Sequence, residues 1–503
     1  MTREELYESL LNELKAIKPP RSPQVSAVRW LADNWNSHRV FCLNAPVATG
    51  KSNIAASIQK VFPKTLIITA SNILVNQYGD SFNYMNLLKG RGSYCCKIGE
   101  NCADSFNEFK IYCNGCPYVQ ARDRAEMGDP TTANPMSFIQ AIRGGILEYP
   151  DVLVVDEAHT LGGFIRSIFS GVFAFSDTSW KAGDMKDLDS LVTWLRYQGR
   201  LISDLKGAKL KENPKANVKK EDSLITSLDT IRWGIESSRD KSDWFFYIEK
   251  DPKGHKKLHI ESIVPPPAIM EYFLKSSKIV LMSGTLFPTM IKEIVGDIPY
   301  AYLSLPSIIP KERRLVILKP AADTINKDTD PSVFAKKIIE IAKENKGKQG
   351  IIHTTYSLGA KLYEELSDKL DVRFNTKETK QATLDDFKNK EFQWLIASGM
   401  SEGIDLYGDV GEINIICKLH YPYLGDPYVV KRKSKPDGNL WYASCALLHL
   451  LQAAGRTTRG PDDYSKTYLL DPGIIRVLES VKRFAGSRAT EYIPPYFKEA
   501  FII

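Results

Sequence analysis

The chain has 503 residues, of which 43% are hydrophobic and 25% charged, the composition of a globular protein with roughly two to four domains. Its net charge of +7 admits a polyanionic partner without demanding one. No apolar run reaches the ~18 residues that a membrane-spanning helix needs, so a membrane partner is not expected.

The chain opens with Leu6, Leu10, Leu14 and Ile17 at helical spacing among acidic residues, which reads as a packed amphipathic helix, not a signal peptide. The expected location is therefore intracellular, where disulfides are rare. Apolar runs then alternate with helical stretches, a pattern that predicts an α/β fold with parallel sheets. Val40–Leu43, Thr65–Thr69, Val152–Val155 and Lys278–Met282 read as buried strands of one sheet. Gly350–His353, Trp394–Ala397, Glu412–Cys417 and Thr467–Leu470 read as strands of a second, with Pro306 to Pro310 as a hinge between them. Two stretches interrupt the first sheet. One holds five of the eight cysteines, between Cys95 and Cys116; Cys42, Cys417 and Cys445 read as buried small hydrophobes. The other carries Lys206, Lys209, Lys211, Lys215, Lys219 and Lys220 around Pro214, either a solvated loop or a phosphate-contacting surface. Beyond it, Trp244–Ile248 and Lys257–Ile263 flank Asp251-Pro252-Lys253-Gly254, a hairpin expected to return the chain to the first sheet.

Three motifs carry chemistry. After the first strand, Ala45-Pro46-Val47-Ala48-Thr49-Gly50-Lys51-Ser52 is a phosphate-loop pattern, with alanine at its first position and Ala48 where glycine is more usual. Turn N–H groups and the positive end of the next helix would cradle phosphates, Lys51 would neutralise β- and γ-oxygens, and Ser52 would offer its hydroxyl to magnesium. The strand 152–155 runs into Asp156-Glu157-Ala158-His159. There Asp156 is suited to the metal's water shell, Glu157 to polarising an attacking water, and His159 to coupling the site to what the protein grips. In the distal half, Gln452-Ala453-Ala454-Gly455-Arg456-Thr457-Thr458-Arg459 sets Gln452, Arg456 and Arg459 at helical spacing, where arginines supplied across a cleft would stabilise γ-phosphoryl charge.

With these motifs in this order, the chain resembles the XPD/DinG branch of the superfamily-two DEAH helicases over most of its length. Pro23-Gln24 is similar to the adenine-reading glutamine motif, and Thr69-Ala70-Ser71 to Gln77 to the segment that touches the nucleic-acid backbone. Thr132-Ala133-Asn134-Pro135 resembles the segment before the DEAH strand. Ser283-Gly284-Thr285-Leu286 resembles the Ser-Ala-Thr coupling motif, with Gly284 in place of alanine. Ser401-Glu402-Gly403-Ile404-Asp405 resembles the Glu-Gly-x-Asp motif, which adds Glu402, Gly403 and Asp405 to the nucleotide site. Tyr421-Pro422 to Asp426-Pro427 resembles the Pro-Phe to Asp-Pro stretch. With Tyr423, Tyr428 and Lys431-Arg432-Lys433 it makes an aromatic–basic mix suited to a strand channel, with Tyr421, Lys431 and Arg432 as expected contacts.

Gly90-Arg91-Gly92-Ser93-Tyr94-Cys95-Cys96 resembles the family's Gly-Arg-x-Asn-Tyr-x-Cys, with Ser93 for asparagine, and Cys113-Asn114-Gly115-Cys116-Pro117-Tyr118 its Cys-x-x-Cys-Pro-Tyr. The resemblance implies a 4Fe-4S cluster on Cys96, Cys102, Cys113 and Cys116. By chemistry alone four thiolates also suit tetrahedral zinc, and metal-free thiols or an exchange of Cys95 for Cys96 stay open. The implied architecture is two RecA-like motor domains carrying an inserted cysteine-rich metal-cluster domain and an inserted arch domain. Its expected parts are residues 1–88, 130–161 and 243–304 for the first motor domain, 89–129 for the cluster domain, 162–242 for the arch and 305–503 for the second motor domain.

The implied activity is ATP- and magnesium-dependent 5′-to-3′ translocation on single-stranded DNA with unwinding of forked or partly duplex DNA, by a monomer. Two other readings use the same motor: remodelling of RNA–DNA hybrids or protein–nucleic acid complexes, and slow ATP-dependent clamping of nucleic acid. The short stretch before Gln24 leads to the expectation of no exonuclease activity.

Overall fold

The structure, a computed structural model of the full chain, describes every residue except 100, 104–112, 175–185, 214–215, 239, 251–252, 401–405, 407, 456, 459, 461 and 503. The first helix, Arg3–Ile17, starts on a capping box in which Thr2 and Glu5 bond to each other's backbone N–H, and it buries Leu6, Leu10 and Leu14.

The first part of the chain supplies ten strands: Val40–Asn44 (β1), Thr65–Thr69 (β2), Asn86–Leu88 (β3), Thr131–Ala133 (β4), Val152–Asp156 (β5), Gly171–Ala174 (β6), Trp244–Lys250 (β7), Lys256–Ser262 (β8), Lys278–Ser283 (β9) and Tyr300–Ser304 (β10). Seven of them form one parallel sheet in the order β10-β1-β9-β5-β2-β4-β3. Every residue of β1, β2 and β5 is buried, as a parallel sheet covered by helices on both faces requires. All four expected strands of this sheet are present.

The hairpin is present too, with Trp244 opposite Ser262 and Lys250 opposite Lys256. It leads the chain back towards the first sheet without being part of it. Its strand β8 pairs on the other side with β6, making a separate antiparallel sheet of three strands. The chain re-enters the first sheet at β9 only after the helix Pro267–Leu274. The turn residues Asp251 and Pro252 lie outside the described residues.

Between β6 and β7 two long helices, Leu188–Glu212 and Lys219–Ser237, lie antiparallel. Arg196 pairs with Glu236, Lys206 with Asp222, and Lys209 with Glu221 at 3.1 Å. Part of the lysine run thus holds two helices together; Pro214 and Lys215 lie outside the described residues. Leu191, Trp194, Leu195, Leu228, Ile231 and Ile235 continue the apolar core that lies beneath the first sheet.

After the segment containing Pro306 to Pro310, a second parallel sheet is built from Arg314–Leu318 (β11), Gly350–Thr354 (β12), Val372–Phe374 (β13), Trp394–Ser398 (β14), Ile413–Ile416 (β15), Ser465–Leu469 (β16) and Phe501–Ile502 (β17). Its order is β13-β14-β12-β15-β16-β11-β17, and the four strands expected here all belong to it. The fold is therefore two lobes, each with a seven-stranded parallel sheet. They share an apolar seam. Phe287, which caps the first-lobe helix Pro288–Val295, is fully buried among Ala443, Leu447 and Leu450 of the second lobe, its ring centroid 5.5 Å from that of Tyr492. No described helix is long and apolar enough to cross a membrane.

Candidate active site

Strand register brings the chemistry to one edge. Asn44 at the end of β1 is level with Ser283 at the end of β9, and Asp156 at the end of β5 is level with Met282. Ligands of open parallel sheets bind beyond such carboxyl ends. The loop after β1 is anchored there, Ala45 N–H donating to the Ser283 carbonyl at 2.7 Å.

Two residues of this loop are left-handed, Ala48 at φ 67° and Gly50 at φ 82°. A left-handed residue inside a tight turn is how such loops expose successive N–H groups to an anion. Glycine adopts it freely, whereas alanine at 48 holds it at a cost of roughly 1–2 kcal/mol. The turned-out carbonyls are satisfied from outside the loop. The Arg21 guanidinium donates to the Ala48 carbonyl, and Gln24 Nε2 donates to that of Gly50 at 3.0 Å. Gln24 Oε1 meanwhile accepts from Arg21 N–H at 2.8 Å, and the residue is only 2% exposed. A Cβ at Gly50 would lie 2.5 Å from Gln24 Nε2, so any other residue here would both hold a left-handed backbone and displace the Gln24 amide. Both polar ends of the Gln24 carboxamide therefore already serve the loop and its approach. Beside them a cavity of about 430 Å³ opens between Arg21-Ser22-Pro23 and Pro306-Ser307-Ile308.

Lys51 begins the helix Lys51–Val61 with Nζ 3.4 Å from both the Ala45 carbonyl and Glu157 Oε1. Ser52 beside it is half-buried. Pro46 and Thr49 are buried, and Thr49 Oγ1 closes the turn by donating to the Pro46 carbonyl at 2.6 Å. Asp156 accepts from Tyr78 Oη at 2.9 Å and from Glu157 N–H at 3.0 Å. Burial, and then the charge of Glu157, push the Asp156 carboxyl up to about 6 against the pull of Lys51. Burial also acts on Glu157, but Lys51 and His159 outweigh it and hold that carboxyl well below the usual range. Glu157 is itself left-handed at φ 53°, which turns its side chain back towards Lys51.

His159 links the lobes. Its Nδ1 lies 2.8 Å from Ser283 Oγ and 3.3 Å from Glu157 Oε2, while its Nε2 lies 2.9 Å from Gln452 Nε2. One ring nitrogen of His159 therefore faces the first-lobe carboxylate and hydroxyl, and the other faces the second-lobe amide. A second bridge runs from Tyr496 Oη to the Gly284 carbonyl at 3.0 Å. Arg456, Arg459, Glu402, Gly403 and Asp405 lie outside the described residues. Their neighbour Gly455 is described, and a Cβ there would lie 3.5 Å from Val47 Cγ2, so the second lobe abuts the phosphate loop at this point.

Residues 338–484 match the helicase C-terminal domain family. The whole chain resembles solved XPD helicases in fold. One titled XPD_Helicase is 17% identical with a TM-score of 0.61, covering 94% of this chain and 98% of that one. S. tokodaii Xpd4 is 16% identical with a TM-score of 0.61, covering 96% and 99%. The fold is thus that of the solved XPD helicases, with residues 338–484 matching a helicase C-terminal domain family. A comparison with curated proteins gave no match.

In this XPD-like chain the cysteines come together in pairs. Cys96 Sγ lies 3.8 Å from Cys113 Sγ, and Cys102 Sγ lies 3.5 Å from Cys116 Sγ. Cys116 caps the helix Pro117–Glu126, and its N–H donates to the Cys113 carbonyl at 3.0 Å. Cys95 is exposed and pairs its backbone with Asn101. Among the described residues no three Cys, His, Asp or Glu side chains close on one point as a preformed single-ion site. What fits a metal group here is the donor chemistry: four thiols, two from each of two loops, are the ligand set that both iron–sulfur clusters and zinc take.

Of the residues expected to touch nucleic acid, Gln77 and Lys431 are exposed, and Tyr421 is half-buried and stacked on Tyr442 at 5.4 Å. Thr69 and Arg432 are not available. Thr69 is fully buried, with its hydroxyl donated to the Ser71 carbonyl at 3.3 Å. Arg432 is 1% exposed and spends its guanidinium on Glu293 and Asp437. Sequence reasoning missed Tyr78, Arg21 and Tyr496. Each reads as an ordinary helix or loop residue, and only folding over a long sequence separation gives it a partner in the site.

Proposed function

We propose that this chain is an ATP-dependent DNA helicase that translocates 5′ to 3′ on single-stranded DNA and unwinds forked or partly duplex DNA. The observation that carries the reading is the line Lys51–Glu157–His159–Gln452, which joins a phosphate loop in one lobe to a glutamine in the other. Lys51 and the turn N–H groups would hold the phosphates, and Ser52 and Asp156 the magnesium. A buried carboxyl raised to about 6 is one that a divalent cation would draw back to its ionised form. Glu157, kept ionised by Lys51 and His159, is suited to orienting the attacking water. The expected charge stabilisation from Arg456 and Arg459, the contributions of Glu402, Gly403 and Asp405, and adenine recognition by Gln24 belong to the same proposal.

Closing the cleft on ATP moves the lobes, and strand movement follows only if their grip on the backbone differs between states. Each opened base pair costs about 1.4 kcal/mol of mean stacking. Polarity and the choice of DNA rest on family resemblance alone. Cys96, Cys102, Cys113 and Cys116 would hold a 4Fe-4S cluster, which supplies folding energy to a module too small to build its own core. Zinc is the second reading, because sulfurs 3.5 and 3.8 Å apart are near the ~3.8 Å edge that a tetrahedron of ~2.3 Å zinc–sulfur bonds would have.

Strand displacement on tailed duplexes of opposite polarity, run beside RNA–DNA hybrids, tests the activity. ATP-dependent unwinding of 5′-tailed DNA is expected, and unwinding confined to hybrids or to 3′ tails would overturn the reading. Anaerobic purification tests the metal: brown protein with blue-end absorbance is expected, and a colourless protein with stoichiometric zinc refutes iron.

A further inference from the structure

Arg432 stands in the second lobe, on the short helix Pro427–Lys433, yet half of its bonds cross to the first. Its Nη1 and Nη2 hold the Asp437 carboxylate at 2.7 and 2.9 Å. Its Nη2 and Nε reach Glu293 Oε1 at 3.0 and 3.3 Å. Around this clasp Arg166 of the first lobe lies over the Tyr428 ring at 3.7 Å, and Lys435 pairs with Asp243 at 2.5 Å. Asp437 caps the helix Gly438–Ala454, whose far end carries Gln452. Seventeen residues at ~1.5 Å each make that helix about 25 Å long.

The same two stretches of chain therefore meet twice. At one end Ser283 supports His159 against Gln452; at the other Glu293, ten residues further on, holds Arg432 and Asp437. Between the ends Phe287 is buried against Ala443, Leu447 and Leu450. Contacts at both ends and along the seam between them fix the helix against the first lobe, with Tyr496 Oη bonded to the Gly284 carbonyl as a further bridge.

We infer that Arg432 is a positioning residue for the nucleotide reaction: clamped between Glu293 and Asp437, it pins the far end of the helix Gly438–Ala454 and so sets Gln452 against His159. The inference rests on the ATP-driven reading above. The clasp stays shut while the lobes turn, because opening it would leave the Glu293 carboxylate without its partner and Arg432 with only Asp437. A pin that stays shut needs shape, not charge, and an apolar pair of similar volume can supply that.

The test uses the full chain with its metal module, and reads kcat and KM for ATP, base pairs unwound per ATP, and the melting temperature. Glu293→Ala leaves Arg432 half-paired. It should lower kcat by up to about 10²-fold, the loss that a ~1 Å misplacement of a catalytic contact produces, with KM nearly unchanged. The double variant Glu293→Met with Arg432→Met, which leaves Asp437 to be solvated at its 37% side-chain exposure, should recover most of kcat and of the unwinding per ATP. Two results would overturn the inference. One is a Glu293→Ala protein that melts earlier but turns over and unwinds normally, which makes the clasp mere glue. The other is a well-folded double Met variant that is as slow as Glu293→Ala or slower, which means the charges must part in each cycle. If Glu293→Ala does not fold, the double variant alone decides in the same way. Loss of turnover in the unaltered chain would instead sink the ATP reading, and the same series measures it.

Discussion

The two lobes are one scaffold used twice, and they differ in what their buried polar residues bond to. In the first, the strand ends are wired to each other and to charge: Asn44 to Tyr302, Tyr78 to Asp156, Ser283 to His159, Lys51 to Glu157. In the second, Asn414 and Asp471 instead tie down backbone. Asn414 Nδ2 donates to the Ala453 carbonyl at 3.0 Å, and Asp471 accepts from Leu419 N–H at 3.0 Å and Gly473 N–H at 2.8 Å. The first lobe keeps charge poised at its edge, and the second holds the C-terminal end of a helix in place so that Gln452 arrives opposite His159.

The harshest break of that contrast is Lys51→Ala, which removes the one described cation against Glu157 and should lower ATP turnover by on the order of 10³-fold or more. Steady-state phosphate release checks it, and retained turnover would remove the proposed site. Next comes the strain stored at Asp156. Its folded value, lifted from 3.8 to about 6, lies above its unfolded one. Its contribution to stability is therefore fully present below ~3.8 and is lost as pH rises through ~6. Asp156→Asn keeps an acceptor for Glu157 N–H and a partner for Tyr78 while removing the charge. Without metal or nucleotide it should be more stable at about pH 8 by up to ~3 kcal/mol, with the gain gone near pH 4. Denaturant unfolding at the two pH values decides, and an equal effect at both would show that the charge is not the cause.

The link between the lobes should be measurable in itself. His159→Ala and Gln452→Ala share one contact, so their effects on nucleic-acid-stimulated turnover should be non-additive by ~0.5–3 kcal/mol in a double-mutant cycle. Strict additivity would make the contact incidental. A smaller effect separates two roles for Gln24. If its bonds to the loop and its approach dominate, Gln24→Met, which removes both, should weaken ATP, GTP and inorganic triphosphate alike, by about 10-fold or more. If it reads the base, triphosphate binding will not change.

The sequence made the scaffold legible because a parallel sheet buried on both faces needs uninterrupted apolar runs, and Val152–Val155 or Thr65–Thr69 cannot be much else. The phosphate loop and Asp156-Glu157 were legible because their chemistry is local. What escaped depends on burial, which a single sequence does not display. Arg432 sits in a Lys-Arg-Lys run that reads as a strand-channel contact, yet its helix turns that one arginine inward to Glu293. Thr69 ends a strand and looks free to bond a backbone phosphate, but it is sealed beneath the turn that follows. Tyr78 follows an exposed glutamine and looks like core; its hydroxyl finds Asp156 only because β2 lies beside β5.

Gly284 tests the comparison most gently. It stands where the resembling motif carries alanine, so the departure could be a functional change or an allowed one. A Cβ placed there would lie 3.5 Å from the Ala45 carbonyl and 4.0 Å from Lys51 Nζ, both ordinary van der Waals contacts. Its backbone dihedral is not among the left-handed ones, so alanine brings no strain. Its carbonyl, which accepts from Tyr496, is unaffected by a methyl on the other side of the residue. Gly284→Ala should therefore shift stability by no more than about 0.5 kcal/mol and leave kcat near its starting value, since no named destabilising mechanism applies. A large loss of turnover without loss of stability would mean that the Ser283–Thr285 turn closes further on Ala45 and Lys51 during the cycle, and that glycine is there to let it.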